Sequence, residues 1–310
     1  MPRFDVTIAG ELNLDLILYG LPEQLEPERE LLADRMMLTL GSSSAIVAHN
    51  LACLGSRVGF QSRTGEDELG QIALDRLQQS GVDVSRVKRA PGATTTGLTV
   101  ILHHDAWRNI LTYAGTIAEL TWQDLDLSYL ADARHFHLSS YYLQRGLRPH
   151  VPQLLQHLKS KGLTVSLDTN DDPEDRWEGA LEEVLRHVDV FLPNEREACK
   201  AARTEDVEAA IAKLSNLVPL VVVKLGRKGA IAQRGKERVA VPVTEVKPVD
   251  SVGAGDSFDA GFLHAFVGGA DLHTSLVSGN RAGALSTTRP GGTEAFRDSE
   301  HRERFLRDRP

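Results

Sequence analysis

The sequence has 310 residues, of which 41% are apolar and 25% charged, and its formal net charge is −8. This composition is ordinary for a globular protein with one large α/β domain or two small ones. The negative charge disfavours binding to nucleic acids or anionic membranes, which requires a basic surface. No run of eighteen apolar residues occurs and the two cysteines form no C-x-x-C pair, so we expect no membrane span and a reducing, cytoplasmic location.

An apolar run over residues 4–9 ends at Gly10 and predicts a buried first strand. Asn13 and Asp15 follow at the end of that strand, where open α/β sheets bind their ligands. Residues two apart in an extended segment point to the same side. The pair is therefore a candidate for contacts with a polar ligand, although Asn and Asp at a strand end also form ordinary turns.

Gly41 and three serines open a helix whose apolar positions are alanines and leucines, and the serines are suited to cap it. Further along, the β-branched run 94–102 and the segment 110–113 predict a hairpin. From residue 134 the pattern alternates between short apolar runs and helical periods, which predicts a parallel sheet covered on both faces. The expected strands are 135–139, 163–167, 188–192 and 220–225, and the expected helices are 151–161, 180–187 and 207–214.

The stretch 250–258, D-S-V-G-A-G-D-S-F, predicts a turn of small residues that runs into a helix. Phenylalanines at a spacing of four (Phe258, Phe262, Phe266) put one face of that helix in a core. The backbone N–H groups of Gly253, Ala254 and Gly255 lie at the helix N-terminus, where they are available to an anion. Small side chains permit the close approach of a phosphate.

Asp256 places a carboxylate beside this predicted anion site. In phosphoryl transfer such a group accepts the proton of an attacking hydroxyl while the amides stabilise the phosphoryl oxygens. The simpler alternative is that Asp256 only complements the helix dipole. Local sequence leaves both readings open.

The motif D-S-x-G-A-G-D-x-F resembles the C-terminal signature of the ribokinase-like (PfkB) family of carbohydrate kinases. An N-x-D, a G-x-D-x-x-G, an N-x-x-E and a strand-G-x-x-G element occur in the family's order, so the resemblance covers about residues 7–296. It implies an α/β fold, a ribokinase-like three-layer Rossmann-type sandwich with a mostly parallel central sheet and a small β-sheet lid. The implied kinase domain spans 1–310, with lid segments at about 12–40 and 94–115.

The resemblance also implies an ATP-dependent kinase that uses Mg²⁺. Asp256 would be the base, and Gly253, Ala254 and Gly255 would form the anion hole. Sugar contacts would come from Asn13, Asp15, Gly41 and Ser42. The family's usual G-G-x-x-x-N is altered here, because Ser42 replaces the second glycine and Ile46 the asparagine. If Ile46 faces the sugar, the substrate should present a deoxy or apolar carbon to it.

For the nucleotide, the resemblance implies a wall formed by Asn194, Lys224, Gly226, Gly229, Asn280 and Ala284. Glu197 would hold Mg²⁺ through water, and Asp250 would bind a monovalent cation such as K⁺. The same Asn194-x-x-Glu197 spacing also fits a helix capping box, and local sequence does not separate the two roles.

We therefore predict that a phosphoryl group is transferred from ATP to a sugar hydroxyl, which belongs to a terminal hydroxymethyl group. A nucleoside kinase and a catalytically silent sugar-binding relative are the alternatives within the fold. A P-loop kinase is disfavoured because no G-x-x-x-x-G-K-[ST] occurs, and a dinucleotide oxidoreductase because Phe258 replaces the third glycine of its fingerprint. A β lid leaves edge strands exposed, so we expect a homodimer formed through it.

Overall fold

The computed structural model describes residues 1–92, 94–104, 107–178 and 180–308. Positions 105 and 106 of the predicted lid lie outside these ranges. The strands are β1 Phe4–Ala9, β2 Leu14–Tyr19, β3 Arg35–Leu40, β4 Val58–Gly65, β5 Asp83–Ala90, β6 Leu98–His103, β7 Arg108–Tyr113, β8 Ala133–Leu138, β9 Thr164–Leu167, β10 Val190–Phe191, β11 Leu220–Lys224, β12 Ala230–Arg234 and β13 Glu237–Val241. The helices are α1 Ser43–Cys53, α2 Glu68–Gln79, α3 Leu127–Ala131, α4 Val151–Ser160, α5 Leu181–Leu185, α6 Glu195–Ala201, α7 Val207–Leu214, α8 Ala254–Val267, α9 Leu272–Ser286, α10 Glu294–Arg297 and α11 Ser299–Asp308.

Nine strands form the large sheet, in the order β13-β12-β11-β10-β9-β8-β1-β4-β5. All its pairs are parallel except β11–β12 and β12–β13. One face buries an apolar cluster with α3 to α7, and the other face buries a second cluster with α1, α2, α8 and α9. The predicted three-layer sandwich with a mostly parallel sheet is confirmed. The predicted strand 188–192 is shorter, since only Val190–Phe191 pair with both neighbours.

A separate four-stranded sheet has the order β3-β2-β6-β7. Its strands fall within the two segments predicted for the lid. Strand β2 is central and pairs parallel with β6, while the hairpin β6–β7 is antiparallel as predicted. Because β2 follows β1 after four residues, the end of the large sheet and the start of the lid are joined at Asn13 and Asp15.

Helix α8 carries the three phenylalanines on one face, with ring centroids 6.3 and 5.6 Å apart along the stack. Phe262 is fully buried and anchors the helix against the sheet. The N-terminus of α8 is thereby fixed at the edge where the parallel strands end. Among the helices of the described ranges, none has the length and apolar character needed to cross a membrane.

Candidate active site

The turn before α8 requires glycine at position 253. Gly253 has φ 71°, in the left-handed region, and a Cβ there would lie 2.5 Å from the Cα of Gly292. Helix geometry leaves the first N–H groups of α8 without intrahelical acceptors. The amide of Ala254 donates a long hydrogen bond of 3.3 Å to Ser251 O, which an incoming anion can displace. The segment therefore has the geometry expected for an anion hole.

Asp256 lies in the first turn of α8 and is half-buried. Burial and the nearby Asp168 raise the pKa of its carboxyl to about 6, and Lys224 and the Ser43 hydroxyl limit that rise. A base with a pKa near the working pH is suited to accept a proton and to release it again. A helix dipole alone would lower the pKa of this carboxyl, so the dipole does not account for the raised value, and the role of Asp256 as base stays a prediction.

A buried lysine lies beneath the anion-hole segment. Lys224 Nζ is 2.7 Å from Asp168 Oδ2 and 3.0 Å from Asp259 Oδ2, and the three side chains are at most 10% exposed. Burial alone would lower the pKa of Lys224, but the two carboxylates raise it, so the ammonium stays charged. A Cβ on Gly255 would lie 3.6 Å from this Nζ, which places the positive charge next to the amides.

Asp259 was not predicted from the sequence. It follows Asp256 by three residues on α8, so the two carboxylates lie on one side of the helix. It is fully buried, and burial together with Asp168 raises the pKa of its carboxyl in spite of Lys224. The D-x-x-D spacing that joins the motif to the residue after it was the available signal.

Both proposed roles of Asn194 and Glu197 remain compatible with the geometry. Asn194 Oδ1 accepts from the Glu197 N–H at 2.9 Å and Glu197 Oε2 accepts from the Asn194 N–H at 2.8 Å, so the capping box is present. Glu197 is buried, and burial and Asp168 raise the pKa of its carboxyl to about 7. Within the described residues no three His, Cys, Asp or Glu side chains are grouped to bind a metal directly. Because Mg²⁺ usually keeps several water ligands, a carboxylate such as Glu197 would hold it through water.

Asp15 forms the other end of the site. Its side chain is 6% exposed, and a Cβ on Gly41 would lie 2.1 Å from its Oδ1, so Gly41 is the residue that makes room for it. Burial, Asp256 and Asp250 raise the pKa of Asp15 to about 7, while Arg108 of the lid lowers it. These interactions place Asp15 in electrostatic range of Asp256. The side-chain amide of Asn13 donates to Leu14 O at 3.1 Å, and its contact with a sugar stays a prediction.

Two serines at the start of α1 make different contacts: Ser42 caps the helix, and Ser43 contacts Asp256. Ser42 has φ 68° and caps the helix, accepting from the Ala45 N–H at 3.2 Å and donating to Glu11 O. Its contact with a sugar stays a prediction. Ser43, which the sequence did not single out, hydrogen-bonds Asp256 and the side chain of Asn170. The run of three serines after Gly41 was the only signal.

Ile46 packs against backbone. Its Cδ1 is 3.3 Å from the Cβ position of Gly253 and 2.8 Å from that of Gly292. The residue is 3% exposed and gives the site an apolar wall beside the anion-hole segment. Whether that wall meets the substrate stays a prediction.

Besides Asn194, which caps α6, the residues predicted for the nucleotide wall lie on β11, the turn that follows it and α9. Asn280 donates to Pro242 O at 2.9 Å, just after β13, and a Cβ on Gly229 would lie 2.0 Å from Val241 O, so a side chain at position 229 would block this close approach. Ala284 belongs to a small core cluster. Gly226 has open space around its Cβ position, as a ligand-facing backbone would. Nucleotide contacts by these residues stay predictions.

We expect an acidic limb near pH 6 in the pH profile of kcat/KM. Because the pKa of Asp256 is raised to about 6, the carboxylate form that the predicted role of base requires is present above that pH and is lost as the pH falls through it. Asp15, with a pKa of about 7, moves the observed limb toward the range 6 to 7 if its ionised form binds the sugar. The measurement is kcat/KM for the sugar from pH 4.5 to 9. A limb near pH 4, the usual Asp value, would contradict the site electrostatics.

The chain matches the family profile of the pfkB family carbohydrate kinases over residues 3–298. The 2-dehydro-3-deoxygluconokinase of Bacillus subtilis is 28% identical over 86% of each chain. The cytidine kinase of Thermococcus kodakarensis is 29% identical over 89% of this chain and 93% of its own.

Among solved structures, an E. coli protein described as a ribokinase II in complex with ATP and Mg²⁺ is 26% identical. Its TM-score is 0.83, with 98% of this chain and 99% of that chain covered. The profile match spans nearly all of the chain, and the carboxylates, lysine and glycine turn occupy one edge of the shared fold. The chain therefore belongs to the pfkB family of carbohydrate kinases, phosphotransferases whose acceptor is an alcohol group.

Proposed function

We propose that this protein transfers the γ-phosphoryl group of ATP to a terminal hydroxymethyl group of a sugar, with Asp256 as the general base. The observation that supports this most is the position of Asp256. Its carboxyl has a raised pKa, it opens α8 beside the glycine turn, and it lies within electrostatic range of both Lys224 and Asp15. Base, anion hole and sugar-binding carboxylate thus meet at one edge of the sheet.

In this proposal Asp15 and Asn13 hold sugar hydroxyls, and the acceptor hydroxyl lies against Asp256. The carboxylate takes the proton as the hydroxyl oxygen bonds to the γ-phosphorus and the bond to ADP breaks. The amides of the anion hole and the ammonium of Lys224 stabilise the charge on the phosphoryl oxygens. Mg²⁺ held through water by Glu197, with Asp168 nearby, would neutralise phosphate charge when bound.

A nucleoside kinase is the second candidate, and the cytidine kinase among the relatives supports it. The chemistry at Asp256 would be unchanged, and only the group bound under the lid would differ. A catalytically silent binding protein is less well supported, because the base, the glycine turn and the lysine are all present.

One panel of acceptors tests these alternatives. We expect ADP release above the ATP-only rate with a deoxy or acidic sugar, because Ile46 offers no hydrogen bond and Arg108 lies on the lid strand β7 in range of Asp15. The panel contains ribose, fructose, 2-keto-3-deoxygluconate, other deoxy and acidic sugars, and nucleosides, at fixed Mg²⁺ and K⁺. A kcat/KM highest for plain ribose or fructose would show that Ile46 does not face the sugar. A kcat/KM highest for a nucleoside would favour the second candidate.

We further propose that the four-stranded sheet closes over the sugar and pairs two subunits. Its edge strand β7 is exposed along its length, with Ile110 59% and Leu111 55% exposed. Association would cover these side chains and the edge. We expect a dimer by light scattering at micromolar concentration.

The substitution Ile110→Lys should shift the molecular mass measured by light scattering toward that of the monomer, because dimerisation would then bury the lysine charge in the interface. Val249→Lys is the matched control, since Val249 is 51% exposed and lies outside the lid strands. A monomeric wild type, or equal masses for the two variants, would count against pairing through the lid.

A further inference from the structure

A buried hydrogen bond joins the lid to the anion-hole segment. The Tyr19 hydroxyl, at the end of β2, donates to Asp250 Oδ2 at 2.7 Å across 231 positions of sequence. Tyr19 is 7% exposed and Asp250 3%. Loss of this donor would leave a buried carboxylate oxygen with one partner fewer.

The phenol is held by its neighbours on both sides. Arg35 on β3 and His103 on β6 are the cross-strand partners of Tyr19. The Arg35 guanidinium carbon lies 4.3 Å from the Tyr19 ring centroid, and the His103 ring centroid lies 5.1 Å away. The Tyr19 ring is therefore packed between its neighbours on β3 and β6 with its hydroxyl directed at Asp250.

Asp250 in turn accepts hydrogen bonds from two backbone segments. Its Oδ2 also accepts from the Gly291 N–H at 3.0 Å, and its Oδ1 accepts from the Val252 N–H at 3.0 Å. Val252 immediately precedes Gly253, whose backbone packs on Gly292. The carboxylate thus fixes both sides of the glycine turn that forms the anion hole.

These contacts do not fit the monovalent cation that the family resemblance predicts at Asp250. A carboxylate has about four acceptor positions, and three are taken by protein donors. Such a cation also needs several carbonyl oxygens in place of water. In the neighbouring loop, Thr287 O already accepts from the Val249 N–H at 2.7 Å and Gly292 O from Asn50 Nδ2 at 3.0 Å.

We propose that Tyr19 is a positioning residue, and that its hydrogen bond to Asp250 takes the structural role expected of the cation. This inference rests on the kinase function proposed above. By fixing Asp250, the hydroxyl orders the anion hole when the lid is closed, so catalysis depends on Tyr19 and not on K⁺. A second lid contact supports the coupling, since Arg108 Nη1 donates to Ser251 Oγ at 3.0 Å within the same segment.

The test compares wild type, Tyr19→Phe and Tyr113→Phe in KCl and in tetramethylammonium chloride of equal ionic strength. Tyr113 is the matched control because it lies on the lid with an exposed ring, and its hydroxyl contacts only Thr95 at 3.3 Å among the described contacts. We expect Tyr19→Phe to lower kcat about tenfold with little change in KM, since a displaced anion hole affects the transition state. Tyr113→Phe should keep wild-type kcat.

Wild type should show equal kcat and equal Tm in the two salts, because a cation bound to the native state would raise its Tm. A kcat and a Tm that both rise in KCl would overturn the proposal, as would an unchanged kcat for Tyr19→Phe.

If Tyr19→Phe does not fold, the variant Arg35→Gln serves instead, because it keeps the Tyr19 hydroxyl but removes the guanidinium packed on its ring. This variant should lower kcat about threefold, and an unchanged kcat would overturn the proposal. If wild type phosphorylates no sugar, the kinase proposal fails, and the wild-type Tm in the two salts still decides the cation question.

Discussion

Replacing Asp256 by Asn is expected to lower kcat by about 10²-fold or more, the usual contribution of a general base. The amide keeps the size of the side chain and cannot accept the proton of the acceptor hydroxyl. ATP affinity should survive, because the substitution removes a negative charge from the edge of the anion hole and leaves the glycine turn intact. Steady-state kinetics with the best acceptor of the panel, together with calorimetric ATP binding, measure both quantities.

Asp171→Asn is the matched control for that variant. Asp171 is exposed and forms an ion pair with Arg196 near the same edge of the sheet, so its loss removes a carboxylate without touching the base. Its kcat should stay within about twofold of wild type, as expected for a surface pair. Near-normal turnover in Asp256→Asn would remove Asp256 from the role of base.

Replacing Lys224 by Met is expected to lower the free energy of unfolding by about 3 kcal/mol, the cost of breaking a buried ion pair by removing one partner. Asp168 and Asp259 would then face each other across a buried site with no cation between them. The same change removes the positive charge beneath the anion hole, so kcat should fall as well. Urea unfolding at pH 7 gives the free energy directly.

Lys228→Met is the control for stability. Its side chain is 72% exposed and its only described pairing is a 3.4 Å contact with Glu195, so the free energy should change by less than about 0.5 kcal/mol. Adding Asp259→Asn to Lys224→Met should recover part of the lost stability, because it removes one of the unpaired charges. A Lys224→Met protein as stable as wild type would show that the cluster is not held by the lysine.

The sequence predicted the layers and most elements of the fold because their signals are local. The alternating apolar runs after residue 134 and the phenylalanine spacing of α8 follow directly from helix and strand periods. Among the strands, β4, β5 and the hairpin β12–β13 were missed. Asp83–Ala90 is an edge strand rich in charged side chains, and its exposed positions remove the apolar pattern that marks a buried strand.

Candidate site residues could be named from the sequence where they lie inside a motif, and not where they act across the chain. Asp256 and Gly253 could be read from one stretch of nine residues. Ser43 contacts Asp256, and Tyr19 contacts Asp250, only because α1 and the lid fold onto the segment 250–256, more than 200 positions away. No local pattern encodes such contacts. The same holds for the cation expected at Asp250: under our proposal the Tyr19 hydroxyl takes its role, and the motif around Asp250 gives no sign of that tyrosine.

The central claim is that the γ-phosphoryl group moves from ATP to a sugar hydroxyl, and ³¹P NMR of the reaction mixture tests it most directly. With ATP, Mg²⁺ and the best acceptor of the panel, we predict a new phosphate monoester signal that grows in step with ADP and shows coupling to the two protons of a hydroxymethyl carbon. Asp256→Asn should give this signal about 10²-fold more slowly. Inorganic phosphate in place of the ester, or ADP formation that does not depend on the sugar, would contradict the account.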